Sequence, residues 1–177
     1  MTDKAIASDR TRFLLSLRAV RQFRGDPVPR EAVDDGLAVA RRSGSASNKQ
    51  PWELVVVRDQ ETLQALAGVE GYAGHLAGAA LGIVPVMAGE REEQEAYDEG
   101  RLCERIMLAA HAHGVGSSIG WFVRGGRSEA KRLLGVPQGR TLRTAISLGY
   151  ADESARRGRG GPARKPLDEI VHEERYG

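Results

Sequence analysis

Ser45-Ala46-Ser47-Asn48-Lys49-Gln50-Pro51-Trp52 is a run of small polar residues closed by a proline and a tryptophan. The residues that follow, Glu53-Leu54-Val55-Val56-Val57, are mostly β-branched and apolar and read as a buried strand opening at Trp52. Small side chains let a backbone approach a flat ligand closely. Asn48 offers both a donor and an acceptor, which suits the edge of a ring that carries both, and Pro51 fixes the entry to the strand. An ordinary helix-to-strand connection with an anchoring tryptophan accounts for the same residues. The density of small polar residues directly before a buried strand favours a loop that faces a ligand.

Upstream, residues 9–18 read as a helix with Phe13, Leu14 and Leu17 on one face, and Pro29-Arg30-Glu31 starts a second in which Val33, Leu37 and Ala40 recur at helical spacing. Downstream, Asp59 opens a helix through Leu63 and Leu66, and residues 79–87 form a second apolar strand. A long helix is expected over 92–113, charged in its first half and apolar on every side over Ile106-Met107-Leu108-Ala109-Ala110, with Gly114 as its stop. A helix apolar all round belongs in a core or an interface. Strands over 115–121 and 141–148 flank a short helix over 128–134. No internal repeat or second domain is visible, so residues 1–177 read as one domain. Residues 151–177, rich in Arg and Gly and ending in Pro166-Leu167-Asp168-Glu169-Ile170-Val171, read as an extended arm that packs against something, such as a partner subunit. Strands alternating with helices give an α/β or α+β class with a mixed sheet.

The bulk numbers narrow the function. The chain has 177 residues, a net charge of +2 and one cysteine, Cys103. So small a charge provides no strong global field for nucleic acid or membrane. One cysteine excludes an internal disulfide and fits a reducing cytoplasm. The first residues lack the apolar stretch of a signal peptide, and the apolar run around residues 77–88 is too short to span a bilayer. His75, His111, His113 and His172 form no metal-ligand pattern with carboxylates, and no Gly-x-Ser-x-Gly occurs, so neither a metal nor a catalytic nucleophile is assigned. On the core helix, Cys103 reads as a small hydrophobe.

Cations gather at two further places. Arg18 and Arg21 are three apart and on a helix would share a face, where two guanidiniums can grip a phosphate; a solvated basic face explains them equally well. Arg164 and Lys165 adjoin the apolar end of the arm and are placed to close over an anion, whereas Arg156, Arg157 and Arg159 suit a solvated linker. Gly114-Val115-Gly116-Ser117-Ser118-Ile119-Gly120 either brings backbone amides to a ring or makes a tight turn. It follows a helix, so it is not the dinucleotide fingerprint.

In this order and spacing the segments resemble the nitroreductase-like flavoprotein family. Arg18-Ala19-Val20-Arg21-Gln22-Phe23 resembles the family's Arg-Arg-Ser-x-Arg-x-Phe opening, and Ser47-Asn48-Lys49-Gln50-Pro51-Trp52 its Ser-x-Asn-x-Gln-Pro-Trp loop. The Gly-Val-Gly-Ser turn, the strand ending Ser147-Leu148-Gly149-Tyr150 and the terminal Arg164-Lys165-Pro166-Leu167 complete it. The resemblance implies an α+β fold: a mixed, mainly antiparallel sheet flanked by helices, with the C-terminal arm swapped onto the partner of a homodimer. It also implies FMN as cofactor and NAD(P)H as electron donor. Arg18, Arg21, Arg164 and Lys165 would hold the phosphate, with Ala19 and Gln50 in the matching motifs. Ser45, Ala46 and Asn48 would approach from the partner subunit, and Ile119 and Gly120 would present backbone near the reactive edge of the ring. The apolar stretch of the long helix would form the dimer core. Two positions depart from the pattern, Leu17 for its first arginine and Ala19 for its serine, removing two phosphate contacts. No lid insertion is evident over residues 89–100.

The expected activity is reduction of small electrophiles such as nitroaromatics or quinones in ping-pong fashion, with no titratable catalytic side chain required. Alternatives are a flavin enzyme of narrow substrate range (reductive dehalogenation or flavin breakdown), a non-catalytic flavin-binding module, and a basic-arm nucleic-acid-binding protein. The basic arm lacks aromatic residues for base stacking, so no nucleic-acid partner is expected.

Overall fold

The computed structural model describes residues 8–154 and 163–176. Helices α1 (Asp9–Ser16), α2 (Arg30–Arg41), α3 (Gln60–Ala67), α4 (Glu92–Ala112) and α5 (Arg124–Leu134) are interleaved with strands β1 (Trp52–Val57), β2 (Leu81–Met87), β3 (Gly116–Trp121) and β4 (Thr144–Gly149). The sheet order is β1-β2-β4-β3, and every pair of named strands is antiparallel. One parallel bridge, Ala19 with Ser117, is added at the β3 edge. The class is therefore α+β with a mainly antiparallel sheet, as the resemblance implied.

The two central strands are buried along their whole length, because helices cover both faces. Their side chains alternate between two cores. Leu81, Ile83, Ile146 and Leu148 pack against Val33, Leu102 and Ile106 of α2 and α4. Val84, Val86 and Ala145 pack against Leu63, Leu66, Phe122 and Ala130 on the side of α3 and α5. Pro85 is tolerated in a central strand because the ladder to β4 ends at Ile83, two residues before it.

One expectation is corrected. Ile106, Met107 and Ala110 lie in the chain's own core rather than in a dimer core, because α2 crosses α4 and the sheet lies beneath it. Only Leu108 and Ala109 of that stretch remain half-buried. Conversely, the charged half of α4 is not simply a solvated face, since Glu95, Asp98 and Glu99 are all buried. Each has its own partners. Glu95 accepts backbone N–H bonds from Gly89, Glu90 and Arg91 at 2.8, 2.9 and 3.1 Å, closing the start of the helix. Glu99 accepts from Arg143 Nη1 and from Thr144 Oγ1, both at 2.7 Å.

Burial alone would raise the Glu95 pKa; the three N–H donors and the nearby Arg143 outweigh it and hold the carboxyl below its usual range. A depressed carboxyl pKa stabilises the fold at neutral pH, and that contribution disappears as pH falls through the carboxylate range. Glu95→Gln should therefore cost about 1 kcal/mol at pH 7, with the gap to wild type closing in acid denaturation melts. Arg143→Ala strands the Glu99 carboxylate and should cost about 3–5 kcal/mol. The pair Arg143→Met with Glu99→Leu should recover most of that in denaturant unfolding, since removing both buried charges is far cheaper than removing one.

Candidate functional site

Helix α1 stops at Ser16, and Leu17 is already extended. Arg18 and Arg21 therefore lie outside the helix, and the expectation that they share a helical face is wrong. The cause is the edge of β3, whose outward peptide groups take the N-terminal segment as a partner. Val20 N–H donates to the Ser117 carbonyl at 2.8 Å and Arg24 N–H to the Tyr150 carbonyl at 3.0 Å. Phe23 packs on Gly149, where any Cβ would lie 2.8 Å from its ring. Arg18 turns back to cap α1, donating to the Leu15 and Leu17 carbonyls at 2.6 and 2.7 Å.

Beside Arg18 is a cavity of about 200 Å³ lined by Ser16, Leu17, His111, Gly116 and Ser117 among others. The Ser117 hydroxyl is buried with no hydrogen-bond partner among the described residues. His111 fixes the end of α1 through Ser16 Oγ at 2.7 Å and stacks on Phe13 at 5.1 Å. Leu17 thus contributes an apolar wall where the family pattern has an arginine.

Farther along β3, Tyr72 N–H donates to the Trp121 carbonyl at 2.6 Å. Ser117 and Trp121 both turn their carbonyls outward, so by strand alternation Ile119, midway between them, presents its N–H and C=O outward too. Its side chain and that of Trp121 are 42% and 45% exposed. Gly120 is buried, and a Cβ there would fall 2.8 Å from Ala73 Cα and 3.2 Å from His75 Nε2.

His75 was set aside in the sequence with the other histidines. Its Nδ1 is 2.7 Å from Ser147 Oγ, while its Nε2 and the Ser118 hydroxyl are buried with no hydrogen-bond partner among the described residues. Burial, and then the positive field of Arg21, hold its pKa below the usual imidazole value against a smaller upward pull from the Ile119 backbone. No sequence pattern marks His75. Contacts with residues far along the chain bring it to the site.

The loop over 45–50 has Ser47, Asn48 and Gln50 in the left-handed region, at φ of 52°, 54° and 50°. Three non-glycine residues in that region are costly and are retained where the surroundings fix them. Here Gln50 N–H donates to Ser45 Oγ at 2.8 Å, and the Gln50 side-chain amide donates to the Asn48 carbonyl at 3.1 Å. Asp98 accepts the Ala46 N–H at 3.2 Å. The guanidinium of Arg101 lies so close to Gly44 that a Cβ there would collide with it. Gln50 thus braces the loop, while Ser47 and Asn48 are left exposed. A cavity of about 230 Å³ behind the loop is walled by Lys49, Pro51 and Gln94 and includes Glu95 and Asp98, whose carboxylates already have partners.

The loop precedes β1 and the arginine segment borders β3, so the two sit at opposite edges of the sheet. With two strands between, they are roughly 14 Å or more apart. One chain does not bring them together. Arg164 and Lys165 are exposed, and among the described residues no hydrogen bond or ion pair joins them to Arg18 or Arg21. Beyond them Leu167, Ile170 and Val171 are 62%, 54% and 56% exposed. Arg156, Arg157 and Arg159 lie outside the described residues. Among the described residues no group of three metal-binding side chains occurs and no helix is long and apolar enough to cross a membrane. Cys103 is buried, its thiol pushed up to about 12 chiefly by burial, in keeping with a packing role.

The described geometry fits a flavin mononucleotide. Arg18 and Arg21 supply cations, Ser117 and Ser118 supply buried hydroxyls with no partner among the described residues, and Ile119 supplies an outward-facing peptide. Comparison with known proteins points the same way. The nitroreductase family model matches residues 15–99, a span that contains both the arginine segment and the 45–52 loop. A chain of Archaeoglobus fulgidus, named for NADH dehydrogenase and NAD(P)H nitroreductase activity, is 32% identical over 146 residues, covering 78% of this chain and 83% of the relative. The NADPH-flavin oxidoreductase of Vibrio harveyi is 24% identical over 178 residues, covering 92% and 72%. The solved FMN-dependent nitroreductase of Clostridium difficile R20291 superposes with a TM-score of 0.80 at 27% identity, covering 93% of this chain and 98% of that one. With shared identity of that extent and a shared fold, the chain belongs to the nitroreductase family of oxidoreductases.

Proposed function

We propose that the protein is an FMN-dependent oxidoreductase working as a homodimer, with two sites between the subunits. The observation that carries this reading is the separation of the two halves of the site. The cationic segment and open peptide edge lie along β3, the strained loop lies by β1, and a second copy is needed to join them. The exposed Leu167, Ile170 and Val171 support an arm, residues 151–177 of a single flavin-binding domain, that covers the partner.

In this arrangement Arg18, Arg21, Arg164 and Lys165 neutralise the phosphate, which carries about −1.5 to −2 charges at neutral pH. Ala19 lies beside them. Ser45, Ala46 and Asn48 meet the ring from the partner, on a loop braced by Gln50 and tethered by Asp98. The Ile119 and Gly120 backbone borders the ring's reactive edge. When bound, FMN carries electrons from NAD(P)H to a small electrophile such as a nitroaromatic or quinone, in ping-pong order. The chain's own residues bind and orient it, and none is assigned a catalytic proton transfer. Helix α4 starts only five residues after β2 ends, which leaves no insertion to form a lid and favours broad acceptance of small electrophiles.

Purified protein should take up FMN, show a bound-flavin absorption spectrum, and bleach on anaerobic addition of NAD(P)H. A protein that stays colourless after FMN addition and removal of the excess would sink the reading. Ala19→Ser, which returns the family's hydroxyl at an exposed position, should tighten FMN about 3- to 10-fold and leave riboflavin affinity unchanged. Equal gains for both ligands would rule out a phosphate contact. Asp98→Ala frees the Ala46 N–H and should weaken FMN binding about 3- to 10-fold in a fluorescence titration, with thermal melts separating loss of fold from loss of the loop.

A further inference from the structure

Aromatic residues make up only 5% of the chain, yet two of them stand exposed side by side at the end of β3. The antiparallel bridge of Gly71 with Phe122 puts Tyr72 directly opposite Trp121, and the Tyr72 N–H donates to the Trp121 carbonyl at 2.6 Å. Residues opposite one another in an antiparallel pair project their side chains from one face, with Cβ atoms about 5 Å apart. Tyr72 is 75% exposed and Trp121 45%, and among the described residues no ring contact joins them. Gly71 permits the close approach, since a Cβ there would collide with the Trp121 carbonyl oxygen. The indole is fixed from one side. The Arg127 guanidinium lies 5.3 Å from its ring centroid and is itself anchored by the Phe122 carbonyl at 3.3 Å and the Glu92 carboxylate at 3.5 Å. Trp121 stands two residues beyond Ile119 and, by strand alternation, on the same face, a step of about 6.6 Å. A fixed indole beside an exposed phenol leaves apolar ring surface in water that a flat ligand would cover.

We propose that Trp121, with Tyr72 opposite it, is the ledge that binds the aromatic ring of the electron acceptor. The inference rests on the flavin reading above and narrows its acceptors to flat, ring-bearing electrophiles. With the flavin's reactive edge at the Ile119 and Gly120 backbone, a ring resting on the indole sits one strand repeat away, so a nitro group or quinone oxygen carried on that ring points to the reactive edge. The faces of indole and phenol rings are electron-rich and attract an electron-poor ring, which nitroaromatics and quinones both present. Trp121 supplies the stacking face and Tyr72 the neighbouring wall. Arg127 is a positioning residue that holds the indole. None of the three gives or takes a proton.

The test takes FMN-loaded protein reduced stoichiometrically with dithionite, which keeps the nicotinamide donor out of the measurement. Reoxidation is followed with p-benzoquinone and nitrobenzene, and with ferricyanide, which has no ring to stack. In Trp121→Ala the ratio of the rate with either ring acceptor to the rate with ferricyanide, at low acceptor concentration, should fall about 5- to 20-fold. Trp121→Phe should regain part of that ratio, and Tyr72→Ala should lower it about 3-fold. An unchanged ratio in Trp121→Ala overturns the proposal, and so does a loss shared equally by ferricyanide, which places the damage in the flavin site or the fold. A second copy of the chain is the rival occupant of the ledge, so a Trp121→Ala variant that passes from dimer to monomer in gel filtration also overturns it. All three results leave the cofactor reading intact, whereas a wild type that takes up no FMN overturns both. If Trp121→Ala does not fold, the ratio in Tyr72→Ala decides, and an unchanged value there overturns the proposal.

Discussion

An edge strand has to find partners for one side of its backbone or leave them to a ligand. Strand β3 finds partners at its two ends. Its ends are covered by Val20 and Tyr72, which donate to the Ser117 and Trp121 carbonyls. Its middle, at Ile119, makes no backbone–backbone hydrogen bond on that side among the described residues. That half-covered edge pulls the arginine segment out of helix and brings residues 71–75 alongside Gly120. The rest of the site is arranged around it.

The second constraint is the burial of charge along α4. Glu95, Asp98 and Glu99 are each buried, and each carboxylate is matched to a different element: the backbone at the start of the helix, the loop before β1, and Arg143 with Thr144 on β4. Buried carboxylates are tolerated only when paired or hydrogen-bonded. Here the pairing also positions α4 under the sheet and holds a loop whose backbone angles are unfavourable on their own. The buried ion network and the tether of the 45–50 loop therefore share one helix, and disturbing Asp98 acts on the loop from behind.

Much of the fold was legible because it follows from local pattern. The apolar run over β2 marks a strand covered on both faces, Asp59 caps α3, and Gly114 ends α4 with a φ of 69°. The loop over 45–50 was legible as a loop from its small polar residues, although the left-handed backbone at Ser47, Asn48 and Gln50 was not. Local pattern failed where long-range contacts overrode it. Arg18 and Arg21 have good helical neighbours, yet the β3 edge takes them. The acidic half of α4 looks solvated, yet Arg143, forty-four residues beyond Glu99, draws that carboxylate inward. The apolar stretch around Ile106 looks like an interface, yet α2 covers it within the chain.

The sequence by itself determined the element order, the apolar strands and helices, and the motif residues by which the family is recognised, because each is written in residues near one another along the chain. Only the tertiary structure decided that the two motif segments sit at opposite edges of the sheet, that Gln50 hydrogen-bonds back within its own loop, and that His75 packs against Gly120. Those facts depend on strand order and on the packing of segments distant in sequence, which the period of side chains along a helix or strand does not encode.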